Sequence, residues 1–590
     1  RAIIWTKMPV AGSQRVIGPK IRRIAVHKSP FTIFCRNILK RNNMKATSLP
    51  PRQRQTVIDQ DFDVLIVGGG IAGLYLLYRL RGLGLSAVAF EAGSSVGGTW
   101  YWNRYPGCRC DVESLEYSYS FANDLQQEWN WPERYGTQPE ILKYINHVTE
   151  RFSLRRDIRF NTRITSAFFS RRKVLWTLNT DRGEVFRAPY CVMATGNLST
   201  PQTPDFPGLD RFKGDWFHTG LWPHDEVKFS GKRVGIIGTG SSGIQSIPHI
   251  AQQATHLYVF QRTANFSLPA RNGPLDPEIE QRHKSEYSAR RKAAFDTPFG
   301  IAGYPPPEKS ALDVPDKERL QIYEQKWAEG GQISFLYSFN DLLTNKASND
   351  TAAEFVRQKI RQTVKDPLAA ELLAPKSHPI GTKRLILDTN YYETYNRNNV
   401  TLVDVSNHPI EEITSNGMRT KEDHFTVDSI VFATGFDAMT GAILDIDIGV
   451  EDGPSIRDVW KHGPTSYLGL TIAGFPNLFT ITGPGSPGVK SQMILSIEQH
   501  VDFIADCLQH MRSRDLIQIE ATFDAEDLWV KHVKKVADAT LYPLANSWYM
   551  GVNVPGKPKV FMPYVGGVDR YKKKCDKVVD DGYVGFTISA

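Results

Sequence analysis

The chain has 590 residues, 41% hydrophobic and 23% charged, the composition of a large globular protein with room for several domains. Its longest uncharged apolar run, Val64 to Tyr78, is 15 residues long and broken by glycines, short of the ~20 that span a bilayer. The net charge of +8 conceals an asymmetry: residues 1–60 hold 13 Lys and Arg against one acid, leaving a body of 58 basic and 62 acidic residues near −4, so no nucleic-acid module follows from the charge.

Residues 1–60 are expected as a solvated, disordered extension, because Pro9, Gly12, Gly18, Pro19 and Pro30 interrupt any long helix. Their many arginines and few acids also fit a mitochondrial presequence or an arm for an anionic surface. Met44 offers a start just ahead of the folded body. The expected location is cytoplasmic, or mitochondrial if residues 1–43 act as a presequence. The six cysteines are scattered without a CxxC pair, which points to a reducing compartment.

The folded body opens on DFDVLIVGGGIAGLYLLYRLRGLGLSAVAFE, residues 61–91. It reads as a buried strand to Val67, a glycine turn, an apolar helix and a second strand closing on Glu91. Gly68, Gly70 and Gly73 occupy the GxGxxG positions, where they permit the tight turn, backbone approach to a pyrophosphate and close helix–strand packing. Glu91 can accept hydrogen bonds from a ribose diol and excludes a 2′-phosphate. RYPGCRCD, residues 104–111, follows. Its two cysteines lack the partner cluster of a zinc site and are expected as small buried fillers. The turn Tyr105-Pro106-Gly107 is expected to deliver Arg109, Cys110 and Asp111 to the face where two cofactors meet.

The pattern recurs in KRVGIIGTGSSGIQSIPHIAQQATHLYVFQRT, residues 232–263. Gly238, Thr239, Gly240, Ser241, Ser242, Gly243 and Gln245 form the loop and helix start. The next strand ends on Gln261, Arg262 and Thr263 instead of an acid, and a guanidinium with a hydroxyl suits a 2′-phosphate. Two loops with opposite strand ends suggest one bound FAD and one exchanging NADPH. Two apolar strands ending in Ala-Thr-Gly, CVMATGN (191–197) and IVFATGFD (430–437), fit a nested arrangement in which the chain crosses between domains. Polar helical stretches between Ala270 and Lys376 read as an insertion. A long amphipathic helix is expected from Gln492 to Arg512, with TGPGSPG (482–488) presenting backbone N–H groups at its start.

GTWYWNRYPGCRCD (98–111) and FKGDWFHTGLWP (212–223) resemble the two fingerprints of the type I Baeyer–Villiger monooxygenases, with Phe212, Gly214, His218, Trp222 and Pro223 at the family's spacing. The likeness continues through GTKRLILDTNYYETYNRNNVTLVD and NSWYMGVNVPGKPKVFMPYVGG and covers roughly residues 60–585. It implies an α/β protein with two Rossmann-like dinucleotide-binding domains and a helical insertion, a glutathione-reductase-like architecture. The FAD domain would comprise 61–196 and 434–590, the NADPH domain 197–270 and 377–433, and the insertion 271–376.

The reaction implied is that NADPH reduces FAD, oxygen adds to give a peroxide at flavin C4a, and the peroxide attacks a small-molecule ketone. Migration in the tetrahedral adduct then yields an ester or lactone. Arg384 matches the family's catalytic arginine and Asp111 the acid that pairs with it. The resemblance places Thr99, Trp100, Arg109, Cys110, Tyr117 and Met493 around FAD and the flavin–nicotinamide face. It gives Lys383 to the 2′-phosphate or ribose of NADP and Trp548 to the cover over the cofactor. His218 is expected to hydrogen-bond between domains and not to act as an acid or base. Where the family's ketone pocket has small and apolar side chains, this chain has Gly488, Val489 and Lys490; an inward Lys490 would favour polar or acidic ketones, an outward one would change nothing.

A flavin monooxygenase acting on nitrogen or sulfur would share both glycine loops without needing Arg384. A redox sensor that only binds its nucleotides is the non-enzyme alternative, and a disulfide reductase is disfavoured because no redox-active cysteine pair is present. No partner beyond the ketone and O2 is called for, and a monomer satisfies the sequence.

Overall fold

The strand Val64–Val67 and the helix Ile71–Gly82 form where the apolar pattern places them, joined by the glycine turn. These elements belong to a computed structural model that describes residues 57–590. The expectations for residues 1–56 lie outside those residues. Val64, Leu65, Ile66 and Val67 are all buried, as a parallel strand covered on both faces requires, and each such burial stabilises by about 1.5–3 kcal/mol. The five-stranded sheet around it runs Leu478–Thr480, Tyr190–Met193, Val64–Val67, Ala87–Phe90, Ile158–Arg159, and all neighbours are parallel.

A second parallel five-stranded sheet repeats the plan: Val400–Asp404, His256–Gln261, Arg233–Ile237, Ser429–Phe432, Asp215–His218. In each sheet the strand before the glycine loop lies beside a strand that ends in Ala-Thr-Gly. The two loops are built alike. Gly68 and Gly238 have φ of +117° and +109°, and a Cβ on them would lie 2.3 Å from the Ala194 carbonyl oxygen and 2.5 Å from that of Ala433. A Cβ on Gly73 or Gly243 would lie 2.0 or 2.1 Å from the carbonyl oxygen of the loop's first glycine, so the helix can approach its strand only without a side chain there.

A third, mixed sheet orders Val57–Asp61, Val185–Ala188, Leu175–Thr180, Ile164–Ser170 and Asp447–Val450. Its first strand starts at Val57, so the folded body begins four residues ahead of the expected boundary at 61. The short VIDQD segment gains its structure from pairing with a strand more than 120 residues away, which no local pattern announces.

The insertion folds into five helices, Pro277–Ala294, Asp316–Glu329, Gln332–Leu336, Lys346–Thr363 and Pro367–Leu373. Asp276, Asn345 and Asp366 cap three of them through side-chain acceptors. Tyr323, Phe335, Phe339 and Phe355 form an aromatic centre for them. The insertion is tied to the first nucleotide unit by Arg291, whose guanidinium donates to the carbonyl of Glu116 at 2.9 Å and to Ser118 Oγ at 2.7 Å. The long helix expected near residue 492 spans Met493–Ser513 and packs against Ile71–Gly82. Its bounds lie within one residue of those expected: Gln492 caps it by accepting from the Leu495 N–H, and a short turn, Gly488–Lys490, which opens on the last glycine of TGPGSPG, precedes it. Among the described residues no helix is long and apolar enough to cross a membrane.

Candidate active site

Arg384 and Asp111, 273 residues apart in sequence, meet in a two-pronged ion pair: Nε donates to Oδ2 at 2.8 Å and Nη2 to Oδ1 at 2.5 Å. Nη1 donates to the Val489 carbonyl at 3.1 Å. The side chains are 26% and 20% exposed, so the pair borders an accessible space. Burial opposes the guanidinium's charge, but Asp111 outweighs it and raises the Arg384 pKa above its ordinary value, leaving a permanent cation. Arg384 is aimed by the turn Gly381 to Lys383 and by the strand that follows it, Ile386–Asp388, paired in parallel with Ser267–Pro269. Asp111 is held from the insertion, where Gln332 Nε2 donates to its carbonyl at 3.1 Å. Nothing in the sequence marks Gln332 for that role.

The turn before Asp111 docks on the second nucleotide helix, Ser241–Gln253. A Cβ on Gly107, at φ +79°, would lie 2.4 Å from the Gln245 carbonyl oxygen. Tyr105 Oη donates to Gln245 Oε1 at 2.9 Å, and Gln245 Nε2 donates to the Arg109 carbonyl at 3.0 Å. Gln245 therefore clasps the two nucleotide units together. The Arg109 guanidinium is likewise engaged within the protein, pairing with Glu133 and donating to the Tyr135 carbonyl at 2.6 Å. Cys108 and Cys110 are free and buried, and burial pushes the Cys108 thiol up to about 12 and Cys110 in the same direction. Neither is an activated thiol.

Around the first glycine loop, Glu91 is 5% exposed and accepts from the N–H of Gly69 at 2.9 Å and of Gly93 at 2.7 Å, with the Trp102 side chain as a further donor. The helix Ile71–Gly82 has no side-chain cap and no acid in its first turn, and Gly70 faces Gly98 closely enough that a Cβ would lie 3.3 Å from its Cα. Thr99 opens the short helix Thr99–Trp102 at the surface, and Trp100 Nε1 donates to Tyr117 Oη at 3.0 Å. Met493 starts the helix Met493–Ser513 and, like Trp548, packs against the buried cluster that includes Val489, Tyr542 and Tyr549.

The second loop shows the same uncapped, acid-free helix start, at Ser241 and Ser242 behind Gly240. Free N–H donors and a positive helix end, with none of the described side chains capping them, are what a pyrophosphate needs. Thr239 Oγ1 donates to the Thr263 carbonyl at 3.0 Å, folding the strand end onto the loop. Beside it Arg262 is exposed, and Lys383 has its pKa lowered by burial and by Arg262. Two adjacent cations, with no carboxylate bound to either among the described residues, fit a phosphate monoester.

His218, buried, accepts from the Gly220 N–H at 3.0 Å through Nδ1 and lies 3.2 Å from Thr434 Oγ1 through Nε2. Thr434 Oγ1 in turn donates to the Gln202 carbonyl at 2.7 Å, which assigns the ring's proton to Nε2. Burial pushes its pKa down to about 4, so it is a neutral hydrogen-bonding link between the His218 strand and the Ala-Thr-Gly segment beside it. Lys490 points inward, its ammonium 4.2 Å from the ring centre of Tyr542 and 4.4 Å from that of Tyr549.

Two nucleotide folds with an arginine–aspartate pair at their junction define an oxidoreductase of the two-dinucleotide class. The chain matches the family model described as pyridine nucleotide-disulphide oxidoreductase over residues 65–299. It is 41% identical to a Baeyer-Villiger monooxygenase of Pseudooceanicola batsensis, covering 89% of this chain and 96% of that one. It is 40% identical to a phenazine N-monooxygenase of Lysobacter antibioticus, covering 90% of this chain and 98% of that one. A solved structure of oxidized steroid monooxygenase bound to NADP shares 51% identity at a TM-score of 0.86, covering 90% of this chain and 100% of that one. The chain belongs to the Baeyer–Villiger monooxygenase family.

Proposed function

We propose that this protein is an FAD-containing, NADPH-dependent monooxygenase that uses O2 to insert one oxygen atom beside a ketone carbonyl, giving an ester or lactone. The observation that carries the reading is the two-pronged Arg384–Asp111 pair, whose members come from the two halves of the molecule and border an open space. In this reading residues 61–196 and 434–590 form the FAD domain, 197–270 and 377–433 the NADPH domain, and 271–376 the insertion that steadies Asp111. When bound, the flavin supplies oxygen activation and the nicotinamide supplies hydride.

The protein's own part is electrostatic and positional. The Arg384 guanidinium, kept charged and oriented by Asp111, stabilises negative charge as it develops on the ketone oxygen. Val489 and Asp111 together occupy three of its donors, so its direction is set before substrate arrives. Gly68, Gly70, Gly73 and Glu91 hold the pyrophosphate and ribose of FAD. Gly238, Gly240 and Gly243 hold the pyrophosphate of NADPH, and Arg262 and Lys383 its 2′-phosphate. Trp548 and Tyr549 exclude water from the junction.

The test is NADPH consumption by the FAD-loaded protein that rises on adding cyclohexanone, with one atom of labelled O2 found in the lactone. Arg384→Ala should abolish lactone formation while NADPH is still oxidised. A second reading, oxygenation of nitrogen or sulfur, is favoured by the 40% identity to a phenazine N-monooxygenase. On that reading heteroatom oxidation survives Arg384→Ala and no ketone is converted. Binding of both nucleotides without any product would leave a redox sensor.

A further inference from the structure

The loop Pro487 to Lys490 brings a second cation to the Arg384 site. Val489 accepts from Arg384, and the next residue, Lys490, reaches across the faces of Tyr542 and Tyr549. Both rings are buried, at 3% and 0% exposure. Asp111 is already engaged by Arg384, and among the described residues no acid pairs with Lys490. The rings themselves offset only part of this: Lys490 is partly buried, where a cation–π contact contributes about 0.5–2 kcal/mol, and the ammonium gives up part of its hydration without a charged partner. Burial and the nearby Arg384 accordingly push the Lys490 pKa well below the usual lysine range. Protonated, Lys490 offers three donors and no acceptor, so an incoming anion would both receive its hydrogen bonds and restore its charged form.

We propose that Lys490 binds a carboxylate carried by the substrate, so that the protein selects oxo acids over neutral ketones of the same skeleton. This rests on the ketone-oxygenating reading above and names its substrate class. A carboxylate fits better than a phosphate group because Lys490 is a single point charge, Arg384 is committed to Asp111 and Val489, and the neighbouring walls are tyrosine rings. The 2′-phosphate cations, Arg262 and Lys383, are a separate pair. Lys490 acts through affinity: it fixes the far end of the substrate while Arg384 faces the carbonyl.

The experiment compares two matched pairs, 2-octanone with 7-oxooctanoate and cyclohexanone with 4-oxocyclohexanecarboxylate, using the FAD-loaded full chain. The expected result is a higher kcat/KM for the acid in at least one pair. In Lys490→Met the acid-to-ketone ratio should fall on the order of 10- to 100-fold, the worth of a hydrogen bond to a charged group, through KM for the acid. Lys490→Arg should restore much of it. Calorimetric binding of 7-oxooctanoate should weaken in parallel. An unchanged ratio in Lys490→Met, or an equal loss for acid and ketone, overturns the inference, since the latter is what a merely structural cation–π contact predicts. If the wild type converts neither member of either pair, the functional reading itself fails.

Discussion

Replacing Asp111 by Asn tests whether Arg384 acts through its orientation. The carboxylate accepts two guanidinium hydrogen bonds, at 2.8 and 2.5 Å. An asparagine of the same shape keeps one acceptor oxygen but turns an NH2 toward the second donor, so one bond is lost and a donor–donor contact takes its place. A hydrogen bond to a charged group contributes about 1.5–3 kcal/mol. If that positioning energy is spent on the transition state, ester formation should fall roughly 10- to 150-fold. Val489 still holds Nη1, so Arg384 stays in the site and the loss should be smaller than that of Arg384→Ala. The assay follows ester by gas chromatography and NADPH by absorbance in the same reaction. The expected variant oxidises NADPH at close to the wild-type rate and releases less ester per NADPH. Wild-type ester yield per NADPH from Asp111→Asn would refute the argument that the pair is catalytic geometry and leave it a structural ion pair.

The Arg262 and Lys383 pair should set cofactor choice: Arg262→Ala is expected to raise KM for NADPH by about 10-fold and leave KM for NADH little changed, measured by initial rates with both nucleotides. Gly73→Ala places a Cβ 2.0 Å from the Gly68 carbonyl oxygen; it should cost about 1–3 kcal/mol and show as reduced flavin content in the purified protein. Glu498, buried behind Ser120, has its carboxyl pKa raised by burial from 4.5 to about 7. A raised acid pKa means the folded state holds its proton longer than the unfolded chain. Its contribution to stability is therefore full below about pH 4.5 and is lost as pH rises to about 7, a loss of about 3 kcal/mol. Glu498→Gln, which mimics the protonated form, should melt at a higher temperature than wild type at pH 8.5 and at a similar one at pH 4.5. Equal melting points at both pH values would contradict it.

Both nucleotide folds were legible because they are local: strand, glycine turn and helix lie within about thirty residues, and the steric need for Gly68, Gly73, Gly238 and Gly243 comes from contacts inside that unit or with the adjoining strand. The difference between Glu91 and Arg262 at the two strand ends was equally plain, since one residue type carries the chemistry. Arg384 and Asp111 were named only through motifs that resemble a family, because neither residue type is distinctive alone. Their meeting depends on the strand pairing of Ile386–Asp388 and on a turn docked against another unit's helix. The start of the fold at Val57, the anchoring of Asp111 by Gln332 and the clasp made by Gln245 were invisible, being hydrogen bonds across 100 or more residues between groups that any polar side chain or backbone could supply.

Lys490 shows the division most clearly. The sequence by itself determined that a lysine follows Val489, in a loop that only the family resemblance assigned to the ketone pocket. Whether that ammonium faced water or the site was a question of which rings lay beside it, and Tyr542 and Tyr549 arrive from a segment more than 50 residues further on. A side chain's charge is written in its residue type, but the solvent and counter-ions around that charge are set only when distant segments close over it.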